Sequence, residues 1–81
     1  MRTIRRYSNR KLYDLQDSHY VKLEQLAAII RAGDEVQVLE HPTGKDITAA
    51  TMALIISEEE KQRPRLPVAA LRKIILTGQI A

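Results

Sequence analysis

The stretch from Ile4 to Asp14, Ile-Arg-Arg-Tyr-Ser-Asn-Arg-Lys-Leu-Tyr-Asp, decides the fold, because it holds two extended segments separated by a polar turn. Its β-branched and aromatic residues favour a first strand over residues 3–8 and a second over residues 11–15. Ser8-Asn9-Arg10 is a turn signal between the two segments. The stretch therefore predicts a β-hairpin.

This hairpin concentrates cationic, amide and aromatic side chains, with no acidic residue before Asp14. Such donors on a short, stiff scaffold suit DNA phosphates and base edges. The candidate DNA-binding residues are Arg5, Arg6, Tyr7, Asn9, Arg10, Lys11 and Tyr13. Alternatively, the hairpin is only solvated, with tyrosines in the core and arginines that keep the protein soluble. Neighbouring side chains of a strand point to opposite faces, so we expect either Arg5 or Arg6 to be structural or to bridge subunits.

Composition indicates one small domain with a local positive field. A chain of 81 residues builds a marginal core, so we expect association into a homodimer or higher homo-oligomer. The absence of cysteine excludes disulfides and thiolate zinc sites. The positive charge of the five basic residues before the first acidic residue exceeds the net charge of +3, so the rest of the chain is net negative. We therefore expect a polyanionic partner for the N-terminal segment. With no spanning apolar run and no signal peptide, we expect a cytoplasmic protein without a membrane partner.

The middle of the chain predicts the elements that complete the fold. A third strand over 19–21 would extend the hairpin into an antiparallel meander, and a helix from 22 or 23 to 32 would cover it, ending at Gly33. Residues 35–40 alternate polar and aliphatic side chains, as in a half-buried strand, and a turn over 41–44 follows. We therefore predict an α+β fold, a small antiparallel β-meander or hairpin with about three helices, forming a dimer.

The C-terminal half predicts two apolar helices. Asp46 or Thr48 is expected to cap a helix that runs to about Gln62 and is apolar almost all round, so it would pack on the sheet and on a partner subunit. Pro67 would open a last helix that ends at Gly78. The predicted dimer-interface residues are Met52, Leu54, Ile55, Ile56, Leu71 and Ile75.

The predicted organisation is a DNA-binding α+β domain over 1–62, followed over 63–81 by a linker and a C-terminal helix that packs on the same domain or on a partner subunit. Because the chain ends directly after this helix, at residues 79–81, we expect a longer native protein or a partner that covers the helix.

The sequence contains no motif typical of catalysis, metal binding or phosphate binding by a Gly-rich loop. His19 and His41 are far apart, there is no His-Glu-x-x-His pair, and no Gly-rich phosphate loop occurs. We predict no catalytic residues, no metal site, no cofactor and no enzymatic activity. No helix-turn-helix is indicated either, because the residues after Gly33 favour a strand.

The motif over 6–14, Arg-Tyr-Ser-Asn-Arg-Lys-Leu-Tyr-Asp, together with Ile-Arg-Ala-Gly over 30–33 and Thr-Gly-Lys-Asp-Ile-Thr over 43–48, resembles the N-terminal DNA-binding domain of the polyhydroxyalkanoate (PHB/PHA) synthesis and accumulation regulators. Ser8 stands where that family is expected to have proline, and Thr77 where it is expected to have tyrosine. The resemblance covers nearly the whole chain.

The resemblance implies a bacterial transcriptional repressor that binds promoter DNA of granule-associated phasin genes. Regulators of this kind also bind the polyester, so polyhydroxyalkanoate is a second expected partner. The alternative interpretation is a module that does not bind DNA and contacts polyhydroxyalkanoate granules or a protein partner through its apolar helices.

Overall fold

The protein's fold consists of four strands and three helices. The computed structural model describes residues 1–78. Its strands and helices, in chain order, are β1 (Arg2–Arg6), β2 (Leu12–Asp14), β3 (His19–Val21), α1 (Leu23–Arg31), β4 (Val36–Glu40), α2 (Thr48–Gln62) and α3 (Val68–Thr77). The predicted α+β class is confirmed, and the predicted elements all form with shifts of one or two residues at their ends.

The four strands form one mixed sheet in the order β3-β2-β1-β4. β1 pairs antiparallel with β2, and β2 with β3, which confirms the predicted meander. β4 pairs parallel with β1, from Arg2 opposite Val36 to Arg6 opposite Glu40. The sequence analysis left the partner of β4 open. The pairing is parallel because α1 carries the chain from β3 across the sheet, so β4 begins at the end where β1 begins.

One face of the sheet builds the core. Alternation along the strands places Ile4, Leu12 and Val38 on the same face. Helices α1 and α2 cover this face. The buried apolar residues are Ile4, Leu12, Val21, Leu26, Ala27, Val36, Val38 and Ile55. Within residues 1–78 the buried apolar residues include no aromatic side chain.

The outer edge of β4 is closed by the segment before α2. The backbone N–H of Ile47 donates to the carbonyl of Val38 at 2.8 Å, and the backbone N–H of Val38 donates to Oγ1 of Thr48 at 2.8 Å. Asp46 or Thr48 was predicted to cap α2, but the residue at the cap position is Ile47. The Thr48 hydroxyl is unavailable for capping because it pairs with the edge of β4, and Asp46 instead accepts the backbone N–H of Thr48 at 2.9 Å. The Thr48 hydroxyl, which also donates to Asp46, and this backbone bond lower the pKa of Asp46.

Helix α2 buries only a narrow stripe. Thr51 and Ile55, one turn apart, are its buried residues, whereas Met52, Leu54 and Ile56 are exposed. Ile55 therefore differs from the other predicted interface residues, because its side chain lies in the core of its own chain. The rest of the helix leaves apolar surface uncovered within residues 1–78.

Helix α3 has no buried residue in the described part of the chain. Its exposed apolar residues include Leu71 and Ile75, the latter 82% exposed. The predicted unit over 63–81 lies within the described residues up to Gly78, and residues 79–81 lie outside them. Whether α3 packs on a partner stays a prediction at this point.

Candidate nucleic-acid interface

The tip of the β1–β2 hairpin is a three-residue loop, Ser8-Asn9-Arg10, held by backbone hydrogen bonds. The N–H of Arg10 donates to the carbonyl of Tyr7 at 2.9 Å, and the N–H of Tyr7 donates to the carbonyl of Lys11 at 3.0 Å. This is a tight turn followed by one left-handed residue, a common three-residue hairpin connection. The tip therefore holds the side chains of 8–11 on a defined scaffold.

Arg10 occupies the left-handed position of that turn, with φ of 66°. Glycine adopts this conformation freely, whereas a residue with a Cβ is disfavoured by roughly 1–2 kcal/mol. Strained residues of this kind cluster at functional sites, where the side chain is needed. Within residues 1–78 the guanidinium of Arg10 forms no ion pair, so it is open to an external anion.

Asn9 stabilises the turn through its side chain. Its Oδ1 accepts the backbone N–H of Lys11 at 3.1 Å, an Asx-type turn contact. Within residues 1–78 the two amide N–H donors of Asn9 have no hydrogen-bond partner. The sequence predicts either a base contact or a turn contact for Asn9, and the geometry shows the turn contact.

A substitution pair separates the two roles of Asn9. Asn9→Asp keeps the acceptor for the Lys11 N–H, removes the amide donors and adds a negative charge, so the unfolding free energy should change little while DNA affinity falls through the lost donors and the added charge. Asn9→Ala removes the acceptor and should lower the unfolding free energy by about 1 kcal/mol. Urea unfolding measures the unfolding free energy of both variants, and fluorescence anisotropy measures their DNA affinity. Unchanged DNA affinity in Asn9→Asp would restrict Asn9 to the turn.

Arg6 and Arg5 differ sharply, as their opposite faces predict. The Arg6 guanidinium pairs with Glu40 across the β1–β4 ladder at 2.9 Å. The Thr43 hydroxyl and the Arg6 guanidinium lower the pKa of Glu40, so this pair stays charged at neutral and mildly acidic pH. Arg5 lies opposite Tyr13 on the other face and has no ion pair within residues 1–78. Arg6 is thus the more structural of the two.

The charge of Arg2 is also neutralised by acidic residues of its own chain. Its guanidinium lies 2.8 Å from the buried Asp14 and 3.3 Å from both Asp17 and Asp34. Its side chain is only 12% exposed. Of the five N-terminal cations, those without an acidic partner in the described chain are Arg5, Arg10 and Lys11. The positive field predicted for the segment is therefore concentrated at the hairpin tip and on one sheet face.

The three tyrosines form one cluster. The rings of Tyr13 and Tyr20 are 5.1 Å apart and those of Tyr7 and Tyr20 are 6.4 Å apart, both edge-on. The ring of Tyr7 also lies 4.9 Å from that of His41, and the Lys11 ammonium lies 5.6 Å from the centre of the Tyr20 ring. These tyrosines are not in the core, contrary to the solvated-hairpin alternative.

Tyr20 and His41 were not predicted from the sequence as members of this cluster. For Tyr20 a signal existed, since a meander places its third strand beside the second with alternate residues on one face. For His41 no such signal was present, because its position beside Tyr7 depends on the parallel pairing of β4 with β1.

The described residues contain no group of three or more side chains suited to hold a metal ion. No helix within residues 1–78 is long and apolar enough to cross a membrane. The side chains of the hairpin supply cationic donors, an amide and phenol rings, which match phosphates and bases.

The family model for the PHB/PHA accumulation regulator DNA-binding domain matches residues 3–63. The chain belongs to this family. In this PHB/PHA accumulation regulator domain the matched residues include the hairpin tip, the sheet and both core helices, whereas α3 lies beyond them. The resemblance identified from the motif over 6–14 is thereby confirmed.

Two relatives extend the comparison. The regulator domain is 36% identical over 59 residues to an uncharacterized protein of Allochromatium vinosum, covering 73% of this chain and 39% of the relative. It is 31% identical over 75 residues to an uncharacterized protein in the phbA 5′ region of Thiocystis violacea, covering 91% of this chain and 54% of that relative. The chain thus spans about half or less of the length of these relatives. No solved structure matches.

The family motif divides into structural and open positions in this regulator domain. Leu12 and Asp14 are buried, and Arg6 is paired, so these positions maintain the hairpin. Arg10 and Lys11 are exposed at the tip. Ser8, where proline was expected, does not prevent the turn from closing, because the bond from the Arg10 N–H to Tyr7 is present.

Proposed function

We propose that this regulator domain is a sequence-specific, duplex-DNA-binding module of a cytoplasmic transcriptional repressor that controls polyhydroxyalkanoate granule-associated genes. The observation that carries the proposal is the hairpin tip, where Arg10 is held in a strained left-handed conformation beside Lys11, both without an acidic partner within residues 1–78. The family assignment supports DNA as the partner. The phbA region in the printed name of one relative supports the link to polyester genes.

The exposure and ion pairs of the hairpin residues support different proposed roles in DNA binding. Arg10 and Lys11 at the tip supply base or phosphate contacts, and Arg5 adds a cation on the adjacent sheet face. Asn9 offers amide donors beyond its turn contact, while Arg6 would engage DNA together with its partner Glu40. Tyr7 and Tyr13 hold the hairpin and border the contact. No cofactor and no enzymatic step are required by this role.

The test is fluorescence anisotropy with a labelled phasin-gene promoter duplex and an unrelated duplex, each titrated at two salt concentrations. Specific recognition predicts a preference for the promoter that persists as salt rises. The logarithm of the association constant should fall with the logarithm of salt, by about 0.9 per neutralised phosphate. Replacing both Arg10 and Lys11 with Ala should weaken binding while the circular dichroism spectrum stays unchanged. Full binding by the double variant would refute the assignment of the tip.

We also propose that the functional unit is a homodimer formed through α2 and α3. The interface would use the exposed Met52, Leu54 and Ile56 of α2 with Leu71 and Ile75 of α3. A ten-residue helix is marginal in water by itself, so α3 needs a covering surface. A two-fold dimer would present two hairpin tips and favour a palindromic or repeated operator.

The dimer predicts a result for one charge substitution. Ile75→Glu removes about 1.5–3 kcal/mol of apolar burial from each subunit and should convert the dimer to a monomer at micromolar concentration. Lys73→Glu, on the polar side of the same helix, is the matched control and should stay dimeric. Light scattering coupled to gel filtration measures the oligomeric state of both variants. A wild-type protein that is monomeric throughout the concentration range would contradict the proposal.

A second candidate function rests on the same apolar surface. If α2 and α3 contact polyhydroxyalkanoate granules or a protein partner instead of a second copy, the wild-type protein is a monomer that binds the polymer, and this binding holds or strengthens with salt. DNA binding would then be absent or indifferent to the Arg10 and Lys11 substitutions.

A further inference from the structure

The sheet has a second face that no helix covers within residues 1–78. Both α1 and α2 contribute their buried residues to the core on the face of Ile4 and Leu12. The opposite face carries the alternate strand residues, which are Thr3, Arg5, Tyr13, Tyr20, Gln37 and Leu39. None of these six is buried and none is acidic. We call this surface the open sheet face.

The aromatic content of the chain lies on this face. The sequence has three tyrosines and no Phe or Trp, and Tyr13 and Tyr20 are paired opposite one another on the open sheet face. Tyr7 joins them at the end of β1 through its ring contact with Tyr20. Tyr20 is 57% exposed. Cross-strand tyrosine pairs stabilise a sheet on its solvent face as well, but the buried apolar residues within 1–78 are all aliphatic, so these rings lie where an external ligand can reach them.

Cations flank these rings. Arg5 lies opposite Tyr13 across the β1–β2 pairing, and the Lys11 ammonium lies over the Tyr20 ring. Neither cation has an ion pair in the described part of the chain. Ring edges and the Lys11 ammonium cover part of the ring surface, but the Tyr20 side chain is largely exposed and Tyr13 is only half-buried. The surface thus combines a positive potential with accessible aromatic rings.

This combination selects for single-stranded nucleic acid. In a duplex the base faces are stacked on one another, so tyrosine rings cannot stack on them without unpairing. In a single strand the bases are splayed and stack on exposed aromatic rings of a sheet, while basic residues bind the phosphates. Three neighbouring strands span about 10 Å, which accommodates two or three nucleotides.

We propose that the open sheet face binds single-stranded nucleic acid, with bases stacked on Tyr20 and Tyr13 and phosphates bound by Arg5 and Lys11. This function is additional to duplex recognition by the hairpin tip and uses Tyr20, which the duplex proposal does not require. The shared chemistry of base and phosphate applies to DNA and RNA alike.

The test compares three labelled twelve-nucleotide strands: oligo(dT), oligo(U) and an abasic strand with the same charge. Anisotropy should show binding of at least one base-containing strand, and the abasic strand should bind about 10-fold or more weakly, because stacking carries the affinity. Stronger binding of oligo(U) than of oligo(dT) would identify RNA as the preferred ligand. Equal binding of these two strands would indicate recognition of the base and phosphate that DNA and RNA share. The tyrosines are the only strong fluorophores of the chain, so their emission should be quenched by the base-containing strands only.

Variants separate this proposal from duplex binding. Tyr20→Leu should weaken single-strand binding about 5- to 100-fold, whereas Tyr20→Phe, which keeps the ring, should stay within about twofold of the wild type. The quenching measurement uses the wild-type protein and remains decisive if Tyr20→Leu folds poorly. Arg10→Ala should weaken duplex binding and leave single-strand binding largely intact.

Three results would overturn the proposal. One is that neither base-containing strand binds. A second is equal affinity for the abasic and base-containing strands with no tyrosine quenching, which would reduce the surface to non-specific electrostatic binding. The third is a parallel loss of duplex and single-strand binding in Tyr20→Leu with retained folding, which would assign the face to the duplex. A failed duplex proposal looks different, because Arg10→Ala would then leave promoter binding unchanged.

Discussion

Replacing Asp14 with Ala is expected to unfold a large part of the population at room temperature. Asp14 is fully buried and its Oδ2 pairs with Arg2 at 2.8 Å, while its Oδ1 accepts the backbone N–H of Gln16 at 2.9 Å. The substitution removes the buried carboxylate that pairs with Arg2 and leaves its guanidinium with the two half-exposed carboxylates of Asp17 and Asp34 at 3.3 Å. The backbone N–H of Gln16 also loses its acceptor, so we expect a cost of about 3 kcal/mol, at the low end for a broken buried pair. A core of this size supplies only about 3–5 kcal/mol in total, so the loss is comparable to the whole stability.

Urea unfolding followed by circular dichroism measures this effect, and Asp17→Ala is the matched control. Asp17 contacts the same guanidinium of Arg2, but its side chain is 48% exposed. An exposed pair contributes at most about 1 kcal/mol, so Asp17→Ala should leave the protein folded. Equal losses in the two variants would show that the burial of Asp14 is not what makes it important.

Arg10→Gly is expected to make the protein more stable and to impair DNA binding. Glycine relieves the left-handed strain at φ of 66°, although part of the gain is offset by the greater freedom of glycine in the unfolded chain. The net gain is up to about 1 kcal/mol. A good arginine contact with a base contributes about 1–3 kcal/mol, so affinity for the promoter should fall roughly 5- to 150-fold.

Ser18→Gly is the control for this experiment. Ser18 is the other described non-glycine residue with positive φ, 57°, and it lies in the β2–β3 turn at the opposite end of the hairpin. Its substitution should give a similar gain in unfolding free energy and leave promoter affinity unchanged. If Arg10→Gly kept full affinity, the strain at the tip would have no explanation in DNA binding, and the proposed site would be wrong.

Local features of the sequence predicted most of the fold. The strand pattern of residues 3–15, the apolar spacing of α1 and its end at Gly33, and the bounds of α2 and α3 depend on neighbours along the chain. They agree with the structure within one or two residues. The one local prediction that was wrong is the capping of α2 by Asp46 or Thr48, since Ile47 occupies that position. A tertiary contact, the bond between Val38 and the Thr48 hydroxyl, overrides the capping preference.

The candidate site was predicted only in outline. The sequence indicated that Arg5 and Arg6 would differ in role, and the structure shows which one is paired, because Arg6 lies opposite Glu40 in the β1–β4 register. Tyr20 and His41 were missed for the same reason: they approach Tyr7 through strand pairing and not through proximity in sequence.

By itself, the sequence determined the elements, the family and the place of the basic cluster, because turn chemistry, periodicity and motif are properties of short segments. Only the tertiary structure decided which cations are neutralised and which sheet face stays uncovered. Those outcomes depend on partners 12 and 34 residues away, as in Arg2 with Asp14 and Arg6 with Glu40. Coulombic pairing within a few ångströms requires the strand register to be set first, and that register arises only when the chain has folded.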